Sequence, residues 1–352
     1  MARTRTTGPT LASIAERAGV SVATVSKVVN ERPGMSEATR ARVEAAIREV
    51  GYRRATRSGL PGVRQVHVVF DTLHSVYSLR VLDGMVAAAQ RVGVDLVTRV
   101  LSPASGFGAA GASGDDVPLD RAFVDDVASR GALGMIVVTT PLAADVVDAC
   151  LDTGLALVAV DSPDPLDRSV ASIGSSHAAG GQQAVEHLVG LGHRRIAFVG
   201  GHPANPGLRA RAAGYREALL SAGVTLDPGL VSEEGMGTSA RAVERMLALD
   251  DPPTAVFATN DADAFAVIRT VVQAGLRVPE DVSVVGYDDT YSAMLTVPLL
   301  TTVHTSMHDI GRAAVDTVLR LHAGEKPFSH HLELATTLIV RESTGPVPPS
   351  TP

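Results

Sequence analysis

Apolar positions in the first fifty residues recur with a helical period. Leu11, Ile14, Ala15 and Ala18 fall at i, i+3, i+4 and i+7 behind Thr10, a capping candidate, and predict a first short helix. Gly19 allows a tight turn. Ser21 is a good N-cap for a second helix to about Val29, with Val25, Val28 and Val29 facing inward. After the Arg32-Pro33-Gly34 break, Ser36 opens a third helix that buries Val43, Ala46, Ile47 and Val50 and ends at Gly51. Three short helices, the first two joined by a glycine turn, make a helix-turn-helix unit.

From Val66 the period changes to short apolar runs separated by helical stretches. The runs are Val66–Phe70, Gly134–Val138, Ala156–Val160, Arg195–Val199, Ala255–Thr259 and Val282–Tyr287, with amphipathic helices such as Gln182–Leu191 and Ser239–Ala248 between them. This is the pattern of a parallel sheet with crossover helices. The fold class expected is α/β, with an all-α head in front of a larger body. The boundaries expected are a head over 1–52, a linker over 53–65, a body over 66–345 and a flexible tail over 346–352.

If the three valines point inward, Val22, Ala23, Thr24, Ser26 and Lys27 face outward. A helix-turn-helix lays the first turn of its second helix in the major groove. Val22 and Ala23 then suit a thymine methyl, and Lys27 suits guanine O6/N7 or a phosphate. Thr24, Ser26 and Asn30 are short donors suited to phosphate oxygens, which set register rather than sequence. The plainer alternative is a three-helix bundle with a charged surface.

Charge favours the nucleic-acid reading. Residues 1–64 hold 12 Lys/Arg against 5 acids, a balance of +7, whereas the rest holds 19 against 33, or −14. A small basic head on an acidic body suggests that the head meets a polyanion. The linker RRATRSGLPGVRQ adds Arg53, Arg54 and Arg57 beside Leu60. It reads as a flexible basic tether whose arginines touch phosphates, because Gly59 and Pro61 work against a helix there.

In the body, each run is followed by polar residues: Asp71, Thr139-Thr140, Asp161, Gly200-Gly201-His202, Asn260-Asp261 and Asp288-Asp289. Open α/β sheets bind ligands at the carboxyl ends of their strands. Repetition there points to one lined cleft, against the alternative that these residues only cap the helices or turns that follow.

The 352 residues hold one cysteine, Cys150, so no intrachain disulfide can form. The N-terminus lacks an apolar signal-like region and the longest apolar runs are too short to span a bilayer, which predicts a cytoplasmic protein with no membrane partner. Gly190-Leu191-Gly192-His193 ends a helix and precedes a strand, the wrong order for a dinucleotide loop. No Cys/His cluster accompanies His330-His331, and no GxSxG elbow occurs. No metal, cofactor or catalytic constellation is expected.

The segment Thr10–Tyr52, above all AGVSVATVSKVVN, resembles the N-terminal domain of the LacI/GalR repressor family. LGHRRIAFVGG, RAAGYREAL, TNDADA, GLRVPEDVSVVGYDD and PLLTTV extend the likeness through the body. The resemblance implies a periplasmic-binding-protein-like domain of two lobes joined by three crossovers, expected near 162–166, 289–294 and 323–328. It also implies operator DNA, a small-molecule effector and a homodimer as partners, and ligand contacts at Asp161, Arg211, Asn260 and Asp288. Carboxylates accept from hydroxyls and a guanidinium donates to adjacent oxygens, which suits a polyol such as a sugar.

Departures are visible. Lys27 stands where the family usually has Arg. The resemblance also implies a short hinge helix after the head, whose leucine, here Leu60, wedges into the minor groove, yet the linker lacks the usual Pro-Asn pair. Leu295 stands where relatives often carry Trp, which leaves Tyr77 as the stacking candidate. Ser176-His177 replaces the usual Asp-Asn; His177 either lines the cleft or caps a helix. The rival classes are a transporter's solute-binding protein, which the basic head opposes, and an enzyme on the same scaffold, which would turn over its ligand.

Overall fold

The computed structural model describes residues 15, 17–21, 24, 25, 28, 36–50, 64–73, 75–101, 118–163, 166, 169–203, 205–235, 237–325 and 329–347. The chain divides into two units, residues 1–59 with 128–131 and residues 60–127 with 132–352; the first holds the N-terminal head and the second the bulk of the body.

In the head, Ser21 Oγ accepts from the Thr24 amide at 3.1 Å, and Ser36 Oγ accepts from the Thr39 amide at 3.3 Å. Both serines therefore act as the N-caps their position predicts. The helix behind Ser36 is α1 (Glu37–Val50). Ala15, Ala18, Val25, Val28, Val43 and Ala46 are buried together, and Gly19 turns with φ +62°. The two valines at 25 and 28 thus point inward as their spacing requires. Val29 lies outside the described residues.

The described residues of the body form two sheets. The first lobe carries β1 (Gln65–Phe70), β2 (Asp95–Val100), β3 (Gly134–Val138), β4 (Ala156–Val160), β5 (Ala171–Ser175) and β10 (His331–Leu334), in the order β10-β5-β4-β3-β1-β2. Every pairing in it is parallel. Its residues alternate between two cores. Val66, Val68, Phe70, Ile136 and Val138 pack against α2 (Val76–Val92) and α9 (Met307–His322), while Val69, Met135 and Val137 pack against α3 (Arg121–Ser129) and α4 (Ala144–Thr153). A sheet covered on both faces needs continuous apolar strands, which is why these runs stand out in the sequence.

The second lobe carries β6 (Ile196–Val199), β7 (Ala255–Ala258), β8 (Ser283–Asp288), β9 (Thr301–His304) and β11 (Thr337–Ile339), in the order β11-β9-β8-β7-β6. β11 is antiparallel to β9 and the rest run parallel. α5 (His177–Gly190) and α6 (Pro206–Ser221) cover one face, and α7 (Ser239–Leu247) and α8 (Asp261–Gln273) the other.

The chain passes between lobes three times: from β5 into α5 at Ser176, from β9 into α9 at Thr305-Ser306, and from β10 into β11 at Ala335-Thr336. These positions correct the expected crossovers, each of which falls one element too early. Segments 162–166, 289–294 and 323–328 instead precede β5, β9 and β10 within a lobe. The cause is compositional. β5 (ASIGS), β9 (TTVH) and β10 (HLEL) have no continuous run of large apolar residues, so nothing in the hydropathy pattern marks the last strand before each crossover.

Candidate functional site

The strands of both lobes end at polar residues held in an unusual backbone conformation. Thr139, Asp161, Asp288 and Asp289 are the non-glycine residues with positive φ among the described residues, at 50°, 41°, 103° and 51°. They follow or end β3, β4 and β8. Non-glycine residues tolerate such angles at a cost, and they cluster where the chain must aim a side chain.

Five of the predicted ligand residues form one chain of contacts across the lobes. Tyr77, on α2 of the first lobe, donates its hydroxyl to Asp161 at the end of β4. Asp161 Oδ1 lies 3.4 Å from His177 Nε2, the first residue of α5 in the second lobe. His177 Nδ1 accepts from Arg211 Nε at 3.4 Å and lies 3.5 Å from Tyr287 Oη. Acceptance at Nδ1 leaves the proton on Nε2, where it points to the carboxylate. Arg211, on α6, places Nη2 3.5 Å from Asp288 Oδ1, donates Nη1 to the Thr259 carbonyl, and stacks its guanidinium 3.7 Å from the Tyr287 ring centre.

Local sequence makes this approach possible. A Cβ at Gly174 would collide with the Asp161 carboxylate, and a Cβ at Gly181 would collide with the Arg211 backbone. Both glycines serve close approach rather than a turn.

Electrostatics divide the carboxylates. Burial raises the Asp161 carboxyl, but His177, the Tyr77 hydroxyl and Arg211 outweigh it and hold the group below the ordinary carboxylate range. Burial pushes Asp288 up to about 7, only partly opposed by Arg211 and reinforced by Asp261 and Asp161. Its Oδ1 is buried and lacks a hydrogen bond, so its contact with Arg211 is an ion pair alone. Burial likewise raises the Tyr77 hydroxyl well above its ordinary value, helped by Asp161.

The two remaining predicted ligand residues have local duties. Asp71 accepts from the Thr72 amide at 2.7 Å and from Thr139 Oγ1 at 2.6 Å, and burial raises its carboxyl. Asn260 caps α8: its Oδ1 accepts from the Asp263 amide at 2.8 Å and its Nδ2 donates to Asp263 at 2.7 Å. Tyr77, the stacking candidate, commits its hydroxyl to Asp161.

Sequence reasoning does not count Tyr287 among the site residues, and it names Asp261 only as a strand-end polar residue. Tyr287 reads as the last core residue of a strand, yet its ring faces Arg211. Asp261, also pushed up by burial to about 6, accepts from Thr302 Oγ1 at 2.6 Å and from the Thr290 amide at 2.6 Å, fixing the loop behind Asp288. An acidic residue directly after an N-cap is the available signal for it. A cavity of about 300 Å³ opens elsewhere, at the start of β6, lined by residues that include Arg194, Arg195, Tyr215 and Asp227. None of the predicted ligand residues lines it.

Of the predicted DNA-contacting residues, Thr24 is half-buried and bonded to Ser21 Oγ through both its amide and its hydroxyl. Val22, Ala23, Ser26, Lys27, Asn30, Arg53, Arg54, Arg57 and Leu60 lie outside the described residues. Among the described residues no group of His, Cys, Asp and Glu could hold a metal ion, and no helix is long and apolar enough to cross a membrane.

A helical head followed in the chain by a body of two mainly parallel sheets, each covered by helices, defines the periplasmic-binding-protein-like class. The comparisons agree with that class. Residues 10–55 match the family of bacterial regulatory proteins named after lacI, and residues 185–344 match the periplasmic binding protein-like domain. The lactose operon repressor of Escherichia coli (strain K12) is 31% identical over 346 residues, spanning 95% of this chain and 90% of the repressor. The chain belongs to the lacI family of bacterial regulatory proteins. The transcriptional repressor PurR of Photobacterium profundum is 26% identical, spanning 95% of this chain and 98% of that one. Among solved structures, the regulator CelR in complex with cellobiose has a TM-score of 0.68 at 30% identity, covering 95% of this chain and 99% of CelR. A lac repressor dimer bound to operator and the anti-inducer ONPF has the same TM-score at 28% identity, covering 96% and 100%.

Proposed function

We propose that this regulator is a homodimeric repressor whose affinity for operator DNA is set by a sugar-like effector held between its two lobes. The observation that carries the effector reading is the contact chain from Asp161 through His177 and Arg211 to Asp288. It offers carboxylate acceptors and guanidinium donors side by side at the strand ends. Vicinal hydroxyls can donate to the buried Asp288 oxygen and accept from Arg211 at once. A phosphorylated effector is disfavoured, because Arg211 already faces Asp288 and, through His177, Asp161. The cellobiose in the CelR complex is in keeping with a sugar.

Val22, Ala23 and Lys27 are the base-reading residues in this account, and Thr24, Ser26, Asn30, Arg53, Arg54 and Arg57 hold the phosphates, with Leu60 as a candidate wedge. The dimer reading draws on exposed apolar residues of the body. Leu79 and Val86 stand seven residues apart on one face of α2, and Met294, Leu295 and Val297 are exposed together after β8. Effector coupling of about 1–3 kcal/mol would change operator affinity roughly 5–150-fold.

A thermal-shift screen of mono- and disaccharides, repeated on Arg211→Ala and Asp288→Ala, tests the effector site. A hit should raise the Tm of the wild type and lose most of that rise in both variants. A hit that stabilises all three proteins equally would place the effector elsewhere.

A further inference from the structure

We propose that His177 is a latch between the lobes: its imidazole joins Asp161 of the first lobe to Arg211 of the second, and so sets how readily the cleft opens. This deepens the effector reading and rests on it, since opening and closing of the cleft is what an effector would bias.

The geometry is specific. His177 is the first residue of α5, directly after the crossover at Ser176, so its backbone belongs to the second lobe while its side chain reaches the carboxylate that ends β4. Its side chain is 11% exposed and that of Asp161 is 14% exposed, which shields the pair from water. One ring nitrogen faces each lobe. Nε2 lies 3.4 Å from Asp161, and Nδ1 accepts from both Nε and Nη2 of Arg211 at 3.4 Å. The groups facing the ring are therefore Asp161 from β4, Arg211 from α6 and Tyr287 from β8, with Gly207 leaving room beside Cδ2 and Nε2.

Each partner is held from its own side. Tyr77 anchors Asp161 within the first lobe, and the Thr259 carbonyl and the Tyr287 ring anchor Arg211 within the second. The imidazole is the middle link of a chain whose two ends are fixed to different lobes. A hydrogen bond to a charged group is among the stronger ones, and it gains strength as water is excluded.

Hydrogen exchange on the full-length protein, without added effector or DNA, tests the latch. In His177→Ala the amides at the cleft walls, in peptides covering 159–163 and 259–263, should exchange on the order of tenfold faster than in the wild type. His177→Gln keeps one donor and one acceptor and should restore most of the protection, with a thermal unfolding profile to show that the fold is intact. Asp161→Asn should loosen the same peptides, and the double variant with His177→Ala should add little to either single change. Wild-type exchange in His177→Ala, or fully additive effects in the double variant, would overturn the latch. Neither result bears on the effector site, which stands or falls on the Arg211 and Asp288 variants.

Discussion

Asp288 concentrates the energetic conflict of this molecule in one residue. Its backbone sits at φ 103°, its Oδ1 is buried without a hydrogen bond, and burial raises its carboxyl to about 7. The sign follows from proton binding. From about pH 4, where the unfolded chain releases this proton, to about pH 7, where the native state does, the folded form binds more protons. The contribution of Asp288 to stability therefore falls as pH rises through that window and is least favourable above it. Asp288→Asn removes the titration and should make the protein roughly 1–3 kcal/mol more stable than wild type at pH 8, with about a third of that gain at pH 5. Urea unfolding at the two pH values checks this, and an equal gain at both would show that the carboxyl is not raised. The position of this residue is legible in the sequence, because an acid after a run of buried strand residues stands at the carboxyl end of a sheet. The role of Tyr287 beneath Arg211 is not, because an aromatic closing an apolar run reads as core until the structure shows what lies over its face.

Packing of elements explains which parts of the fold the chain displays openly. β3 (GMIVV) and β4 (ALVAV) are legible to the residue because no polar side chain interrupts strands that are covered on both faces. β2, β5, β9 and β10 are not. β2 and β10 lie at the edge of their sheet, and β5 and β9 are filled by small or hydroxyl residues that mimic a loop. The crossovers slip for that reason. Helix pairing shows a similar economy. α5 and α6 approach so closely that a Cβ at Gly214 would collide with the Ala178 carbonyl and the Gln182 amide. Gly214→Ala should therefore lose about 2 kcal/mol or more, although alanine is the better helix former by about 1 kcal/mol. Gly223, with φ +66° and open space around it, is a matched control. There alanine pays only for its backbone angle, so thermal unfolding of the two variants separates collision from conformation.

At the scale of the whole molecule, charge is split between the parts, and that split predicts behaviour no single residue reveals. The first 64 residues carry +7 and the remainder −14. A uniformly acidic chain would be repelled by DNA at every orientation, whereas this one presents only its head favourably. Affinity then comes from phosphate neutralisation by the head, and each neutralised phosphate releases condensed counterions. The logarithm of the operator association constant should fall linearly with the logarithm of salt, with a slope of about −0.9 per phosphate contacted. For a homodimer making roughly 6–10 such contacts, affinity should drop about 10³–10⁵-fold between 50 and 200 mM salt. Fluorescence anisotropy with operator DNA across that range measures the slope. Arg54→Ala should weaken operator and unrelated DNA alike and lower the slope by about one unit per arginine removed, because a phosphate contact carries no base information. Ala23→Gly should instead weaken the operator selectively and leave the slope unchanged, because a methyl contact to a base releases no counterions. A salt-independent affinity would contradict the head as the binding surface. A selective loss with Arg54→Ala would move that arginine from the backbone to the bases.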